Sequence, residues 1–234
     1  MKTKPSALKI AVIDNSIEPE IYRPVEHWAA FLPPGWSAFR APEGVLPSWK
    51  EGFTHVILTG SEASILEPEA WVEREVDFVR EAEHLGLAIL GSCYGHQLLA
   101  SALAGPATVG ACREPEIGWI PIASRVDSGI FGPRGGEKYA FSLHFDEVRG
   151  LPERFLVLAG TDICPVQAFT LKGRPVWGYQ IHPEIDPEQG KALLRAQAER
   201  NGRGGGTLYH KALDQPARDS RLIEPIMAEF LRPF

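Results

Sequence analysis

Cysteine is scarce in this sequence: Cys93, Cys112 and Cys164 are the only three among 234 residues. An odd number cannot all be paired in disulfides, and their spacing fits no zinc-binding pattern. We therefore predict free thiols, each buried or reactive, in a reducing compartment such as the cytoplasm. Clusters of His, Asp and Glu with the spacing of a zinc or calcium site are absent too, so the sequence predicts no metal and no cofactor.

Positive charge and long apolar runs are also lacking. Lys and Arg number 24 against 30 Asp and Glu, a formal net charge of −6, which gives no electrostatic reason to expect a nucleic-acid partner. The basic residues 1–5 precede an apolar run, residues 8–13, that is too short for a signal peptide or a membrane span. Neither a P-loop nor a G-x-G-x-x-G follows a predicted strand. We therefore predict no membrane partner and a small-molecule substrate.

The first half of the sequence alternates short apolar runs with amphipathic stretches. The apolar runs predict strands, and the stretches between them, ended by glycine or proline, predict helices. This alternation is typical of a parallel sheet with helices on both faces. The predicted strands are residues 8–13, 55–59 and 87–90, and the predicted helices are residues 22–31, 68–85 and 95–104.

After Gly105 the pattern changes to strands joined by turns. Residues 172–174 are predicted to close a hairpin, and the glycines at 202 and 204–206 a flexible joint before a final helix. The fold class is therefore α/β: a three-layer, doubly wound, mostly parallel sheet with additional antiparallel strands in the second half. We predict a single domain, residues 1–234, with a core of about 8–200 and a C-terminal helical tail of about 207–234. The predicted elements of this half are strands at 117–122, 139–143, 155–159, 166–171 and 176–181, and helices at 187–200 and around 222–230.

The segment LGSCYGHQ, residues 90–97, predicts a sharp turn between a strand and a helix. Gly91 and Gly95 lie two residues before and after Cys93, as in a nucleophile elbow. A cysteine there lies at a helix N-terminus, where the macrodipole favours the thiolate and free N–H groups can bind an oxyanion. Taken alone, the motif is equally typical of a buried cysteine in a tight turn.

A second segment, GYQIHPE at residues 178–184, supplies a base and a carboxylate. Residues i and i+2 of an extended segment point to the same side, and Pro183 favours an extended His182. Glu184 can therefore hold the imidazole of His182 in the orientation that accepts a thiol proton. By itself the string H-P-E is more typical of a surface turn.

Together the two segments resemble the class I glutamine amidotransferases, in which a G-x-C-x-G-x-Q elbow is followed much later by H-P-E. The resemblance extends to about Ile185 and is greatest to the glutaminase domain of GMP synthase and its stand-alone relatives. Further matching segments are EIGW at 116–119 and HFDEV at 144–148. The fold that the resemblance implies is flavodoxin-like.

The resemblance implies a role for each matching residue. Cys93 would attack the side-chain amide of glutamine to form a glutamyl thioester, with His182 as general base and acid and Glu184 orienting it. Two groups of residues would assist them. The oxyanion would be held by the backbone N–H groups of Tyr94 and of Gly60 or Ser61, and glutamine would be contacted by Gln97, Leu143, His144 and Phe145.

Two loops depart from the family pattern. The glycine-rich S-G-G-P loop is here TGSEA, residues 59–63, and the S-H-G-D segment is here LHFD, with Phe145 where glycine is usual. The second change alters the expected shape of the pocket. His96, next to the elbow, has a different helical direction from Cys93, and Asp146 is as well suited to a structural role as to binding.

Three functions remain open from the sequence. The first is a glutaminase that supplies ammonia to a separate synthetase, because the chain contains no nucleotide-binding loop. The second is a stand-alone hydrolase or peptidase of γ-glutamyl compounds, favoured by Phe145. The third is a catalytically silent binding or regulatory module, against which the intact Cys93, His182 and Glu184 argue.

Overall fold

The computed structural model describes residues 8–232, without the side chains of residues 203–205. Residues 1–7 and 233–234 lie outside this range. The predicted ends of the domain, and the N-terminal residues for which we predict no signal peptide, are therefore among the residues that are not described. That the chain forms a single domain stays a prediction. The strands are β1 Ile10–Asp14, β2 Trp36–Arg40, β3 His55–Leu58, β4 Ala88–Ser92, β5 Val109–Ser124, β6 Glu137–Val148, β7 Phe155–Gly160, β8 Ala168–Leu171 and β9 Val176–Tyr179.

All nine strands form one mixed sheet in the order β2-β1-β3-β4-β9-β8-β7-β5-β6. Strands β2, β1, β3, β4 and β9 are parallel to their neighbours in this series. The remaining pairings, β9 with β8 and onward to β6, are antiparallel. The predicted α/β sheet, with antiparallel strands in the second half, is confirmed.

The parallel strands are apolar throughout because both of their faces are covered. In β1, Ala11 and Ile13 belong to one hydrophobic cluster, and Ile10 and Val12 belong to another. Successive side chains of a strand point to opposite faces, so the two clusters are the two interfaces of a three-layer structure. Helices are therefore expected to pack against both faces of the parallel part of the sheet.

Helices cover each face of the sheet. On one face, α2 contributes Phe78 and Val79 and α3 contributes Leu98 and Leu99 to the first cluster. On the other face, α6 contributes Phe230 and nearby apolar residues to the second hydrophobic cluster. No helix among residues 8–232 is long and apolar enough to cross a bilayer. The helices are α1 Pro24–Ala29, α2 Ala70–His84, α3 Tyr94–Ala104, α4 Pro187–Gly205, α5 Thr207–Leu213 and α6 Ile223–Phe230.

The structure differs from the sequence prediction at several points. Strand β2 and helix α5 were not predicted, because β2 is a partly exposed edge strand and α5 spans only seven residues. Helix α2 begins at Ala70, not at residue 68, and Glu69 is its N-cap. The glycines after residue 201 were predicted as a flexible joint; Gly202 interrupts α4 with φ 62° and ψ −167°. Residues 203–205 lack described side chains.

Candidate active site

The link between β4 and α3 is a single strained residue. Cys93 lies between Ser92, the last residue of β4, and Tyr94, the first of α3, with φ 49° and ψ −106°. Few non-glycine residues adopt a positive φ, and they are common where a side chain is held for function. The predicted nucleophile-elbow geometry is present at Cys93.

The flanking glycines are required by close packing. A Cβ on Gly95 would lie 2.2 Å from the carbonyl oxygen of Leu58, and one on Gly91 would lie 2.4 Å from the carbonyl oxygen of Gly95. The Gly95 N–H donates to the Thr59 carbonyl at 3.1 Å, which fixes the helix against the end of β3. The sequence therefore folds into this turn only with glycine on both sides.

Replacing Gly95 by alanine is expected to lower the free energy of unfolding by about 3 kcal/mol, because the new methyl group meets backbone atoms that cannot move aside. Urea denaturation measures the loss. Gly129→Ala is the matched control, since a Cβ there has no atom within 4 Å and the residue has no positive φ. Equal denaturation midpoints for the two variants would show that α3 is not packed this closely.

The Cys93 thiol is buried between two strands. The backbone N–H of Cys93 donates to the Tyr179 carbonyl at 2.8 Å, and this bond places Cys93 beside the end of β9. Its Sγ lies 3.7 Å from the Leu143 carbonyl oxygen and 3.7 Å from Nε2 of Gln180. Cys93 is 5% exposed, and it lines the cavity described below.

His182 and Glu184 follow β9 and form a buried pair. The backbone N–H of His182 donates to the Phe141 carbonyl at 2.9 Å. The ring nitrogen Nδ1 of His182 lies 2.9 Å from Glu184 Oε1. Because a carboxylate only accepts, this contact assigns the proton to Nδ1 and leaves Nε2 to face other groups. The contact therefore fixes the orientation of the ring and, in its neutral form, the tautomer with Nε2 free to accept a proton.

Cys93 and His182 are brought together although they are far apart in the sequence. Burial lowers the pKa of His182, but its interactions with nearby Cys93 and Glu184 outweigh this effect and raise the pKa to about 10. For Glu184, burial raises the pKa, but the His182 imidazolium and the hydrogen bonds to it leave the pKa below its usual value. This arrangement favours an imidazolium next to the sulfur at neutral pH.

Two residues that the sequence did not indicate hold Glu184. The Tyr22 hydroxyl donates to Glu184 Oε1 at 2.9 Å and lies 3.3 Å from His182 Nδ1. The Ser92 hydroxyl donates to Glu184 Oε2 at 3.2 Å. Ser92 belongs to the elbow motif, but Tyr22 lies in the loop after β1, where no pattern marks it.

A cavity of about 380 Å³ opens over Cys93 and His182. One wall comes from the loop after β3 and from β6, and the other comes from α4 and α5, which the sequence did not connect with the site. Its lining residues include Tyr22, Ser61, Glu62, Ser64, Cys93, Tyr94, Gln97, Leu143, His144, Phe145, Asp146, His182, Leu193, Gln197, Arg200, Asn201 and Tyr209.

Two of the three predicted oxyanion residues, Tyr94 and Ser61, line this cavity, and Gly60 lies beside it. Tyr94 is the first residue of α3, so its N–H has no acceptor within the helix, and it lines the cavity together with Ser61. Gly60 packs on the imidazole, since a Cβ there would lie 2.7 Å from Cε1 of His182. All three surround the reactive pair, and their role as donors stays a prediction.

The four predicted substrate contacts line the cavity in different ways. Gln97 donates from Nε2 to the Asp146 carbonyl at 2.8 Å and to Gln180 Oε1 at 3.2 Å, so its side chain braces the elbow against neighbouring segments. Leu143 presents its carbonyl to Cys93, and Phe145 is 49% exposed. The His144 side chain is turned away from the cavity into the protein.

His144 belongs to a buried polar cluster. Its Nε2 lies 3.1 Å from Glu116 Oε2, which also accepts from Gln167, while Glu116 Oε1 accepts from the Thr161 hydroxyl at 2.7 Å. Ligand atoms of Glu116, His144 and Cys164 lie within 4.8 Å of one another. Sequence spacing could not reveal this group, because its members come from separate strands and a turn. Its hydrogen bonds tie β6 to β5.

The remaining candidates do not line the cavity. His96 is fully buried against Phe169, with 4.8 Å between ring centroids, and burial lowers its pKa to about 3. Cys112 and Cys164 are free thiols, as predicted, and burial raises the pKa of Cys112 to about 12. The Cys112 thiol is therefore protonated and unreactive at neutral pH.

Comparison with known proteins agrees with the geometry. A sequence profile of the family described as Glutamine amidotransferase class-I matches residues 33–200. The chain is 35% identical over 125 residues to a subunit of the glutamine-hydrolyzing GMP synthase of Methanocaldococcus jannaschii, covering 53% of this chain and 65% of that protein. It is 36% identical over 130 residues to the glutamine-hydrolyzing GMP synthase of Acetivibrio thermocellus, covering 56% of this chain and 24% of that protein.

A solved structure extends the likeness to the whole fold. The glutamine amido transferase from Methylobacillus flagellatus matches with a TM-score of 0.72 and 20% identity, over 97% of this chain and 93% of that one. At this identity the match shows the fold alone. The profile, in contrast, spans most of the chain and includes the elbow, Cys93 and the H-P-E segment. The predicted membership is confirmed: this chain belongs to the class I glutamine amidotransferase family of enzymes.

Proposed function

We propose that the protein hydrolyses the side-chain amide of glutamine to glutamate and ammonia. The observation that carries this proposal is the convergence of Cys93 and His182 at one cavity, with Nδ1 of His182 2.9 Å from the buried Glu184 carboxylate. A thiol beside an imidazole that a carboxylate orients is the arrangement of a nucleophilic amide hydrolase.

The proposed reaction has two stages. The Cys93 sulfur attacks the amide carbon, the N–H groups of Tyr94 and of Gly60 or Ser61 bind the oxyanion, and the His182 imidazolium gives its proton to the departing ammonia. Water, deprotonated by His182, then attacks the glutamyl thioester and releases glutamate and the thiol. The raised pKa of His182 supports this order, because the ring already holds the proton that ammonia needs.

The ammonia is proposed to serve a separate synthetase, in the cytoplasm. Support comes from the M. jannaschii relative, whose name describes one subunit of a GMP synthase. The decisive experiment incubates the purified protein with glutamine, alone and with cell extract, and measures glutamate and ammonia. A folded protein that releases neither under both conditions would overturn the proposal.

A second candidate is hydrolysis of larger γ-glutamyl compounds. The cavity volume of about 380 Å³ lies in the range of pockets that hold ligands larger than glutamine, and the half-exposed Phe145 is at its edge. A panel of γ-glutamyl dipeptides in the same assay separates the two functions. Turnover above that of glutamine would favour this candidate, and turnover below it throughout the panel would exclude it.

Tyr22→Phe is expected to lower kcat for glutamine about 10-fold with little change in KM, because it removes one hydrogen bond to the ionised Glu184. Steady-state kinetics of ammonia release provide the measurement. Tyr139→Phe, which removes a hydroxyl bonded to Arg218 on the surface, is the matched control. If both variants keep full activity, Tyr22 does not position the Glu184 carboxylate for catalysis.

A further inference from the structure

Glu62 places a carboxylate in the cavity wall. Its Oε2 accepts from the Ile17 N–H at 3.0 Å, and its Oε1 accepts from the Ser16 hydroxyl at 3.3 Å. Both donors are neutral, and Glu62 takes part in none of the ion pairs found within residues 8–232. The cavity therefore contains an acidic group that is oriented by the protein but has no cation beside it.

The other charged groups of the cavity do not compensate Glu62. Arg200 is paired with Glu18, and the His182 ring is engaged by Glu184 and Cys93. Asp146, a second carboxylate of the cavity, accepts from the Ser64 hydroxyl at 2.6 Å and adds negative charge. Burial raises the pKa of Glu62 to about 7, as expected for a carboxylate that lacks a positive partner.

A partly buried carboxylate without a counter-charge is costly unless a cation binds to it. A metal ion would require several such ligands close together, and in the described part of the chain the group that meets this condition is Glu116, His144 and Cys164, without Glu62. An organic ammonium group requires one carboxylate and room for its hydrogen bonds. A γ-glutamyl substrate carries this group at the end opposite to the carbonyl that Cys93 would attack.

We propose that Glu62 binds the α-ammonium group of the substrate and selects γ-glutamyl compounds that carry it. This inference rests on the proposed function. The carboxylate comes from the loop of residues 59–63, where TGSEA replaces the glycine-rich S-G-G-P pattern. The same loop contains Gly60, packed on His182, so ammonium binding and the reactive pair share one segment. Ser16 and Ile17 hold the carboxylate in position for this contact.

The test compares glutamine with glutaramic acid, which has the same amide and carboxylate but no amino group. In protein that retains Cys93, Glu62→Gln is expected to lower kcat/KM for glutamine about 30- to 300-fold, mostly because KM rises. The substitution removes one partner of a desolvated charge pair. For glutaramic acid the change should stay below about 3-fold. Glu67→Gln, at an exposed position between β3 and α2, is the matched control.

Binding is measured in parallel by calorimetry in the Cys93→Ala background, which needs no turnover. Adding Glu62→Gln should weaken glutamine binding and leave glutaramic acid binding unchanged. Equal losses for both ligands would assign Glu62 a structural role in the loop, and no loss, or no glutamine binding at all, would also overturn the inference. Failure of the proposed function is seen separately, as wild-type protein that binds glutamine without releasing ammonia.

Discussion

Cys93→Ala is expected to reduce ammonia release from glutamine by about 10⁴-fold or more, to the background of the assay, because the proposed reaction loses the atom that attacks the amide. The fold should persist, since alanine is small and the elbow is held by the flanking glycines. Far-ultraviolet circular dichroism and the urea midpoint check the fold, and ammonia release checks the activity.

Cys112→Ala is the matched control for this substitution. Cys112 lies in β5, outside the cavity, and its raised pKa keeps it protonated, so its removal should leave turnover within about 3-fold of wild type. An electrophile that mimics glutamine should label wild-type protein and the Cys112 variant but not the Cys93 variant. Residual activity of the Cys93 variant near that of wild type would show that another group performs the chemistry.

The reactive elbow could be predicted because its causes are local. The strand, the turn and the helix around Cys93 are encoded within residues 88–104. Gly91 and Gly95 indicate from the sequence alone that the backbone is closely packed there, and the structure shows this packing. The same holds for His182 and Glu184, which lie two residues apart after β9. That these two segments meet was inferred from the family resemblance, and in the structure it depends on the parallel pairing of β4 with β9.

Tyr22 could not be predicted in the same way. It is separated from His182 by 160 positions, and a single tyrosine in a loop has no pattern that relates it to a distant carboxylate. The α4–α5 wall was missed for a related reason. Arg200 and Asn201 reach the cavity from the end of α4, and Tyr209 reaches it from α5, which follows the break in the helix at Gly202.

The antiparallel half of the sheet shows a further limit of sequence patterns. Strands in this half were predicted individually, but β5 spans Val109–Ser124, which is longer than the predicted residues 117–122. Its first half has no regular apolar alternation, yet Val109 to Ala111 pair with β6, and the pairing resumes at Glu116 after a register shift. Backbone pairing with a neighbour, more than side-chain pattern, sets the length of such a strand.

Glu184→Gln is expected to lower kcat for glutamine by about 10³- to 10⁴-fold while leaving KM nearly unchanged. The substitution preserves the size of the side chain, but an amide presents an N–H group where the carboxylate only accepts. Glu184 Oε1 accepts from His182 and Tyr22, and Oε2 accepts from Ser92, so an amide with one accepting oxygen cannot replace both. With its N–H group turned towards His182, the amide favours the wrong tautomer of the imidazole and carries no charge to hold the imidazolium. Steady-state kinetics measure the loss, and Glu188→Gln, exposed at the start of α4, is the control.

The same variant should change the pH dependence in a defined direction. The Glu184 carboxylate raises the pKa of His182, so its removal lowers that pKa, by about one to three units for the loss of a close opposite charge. Because the imidazolium delivers the proton to ammonia, activity is lost as pH rises through the His182 pKa, and the alkaline limb of kcat/KM should therefore move to lower pH. An alkaline limb that stays in place would mean that a group other than His182 supplies the proton, since Glu184 acts on the reaction only through this ring.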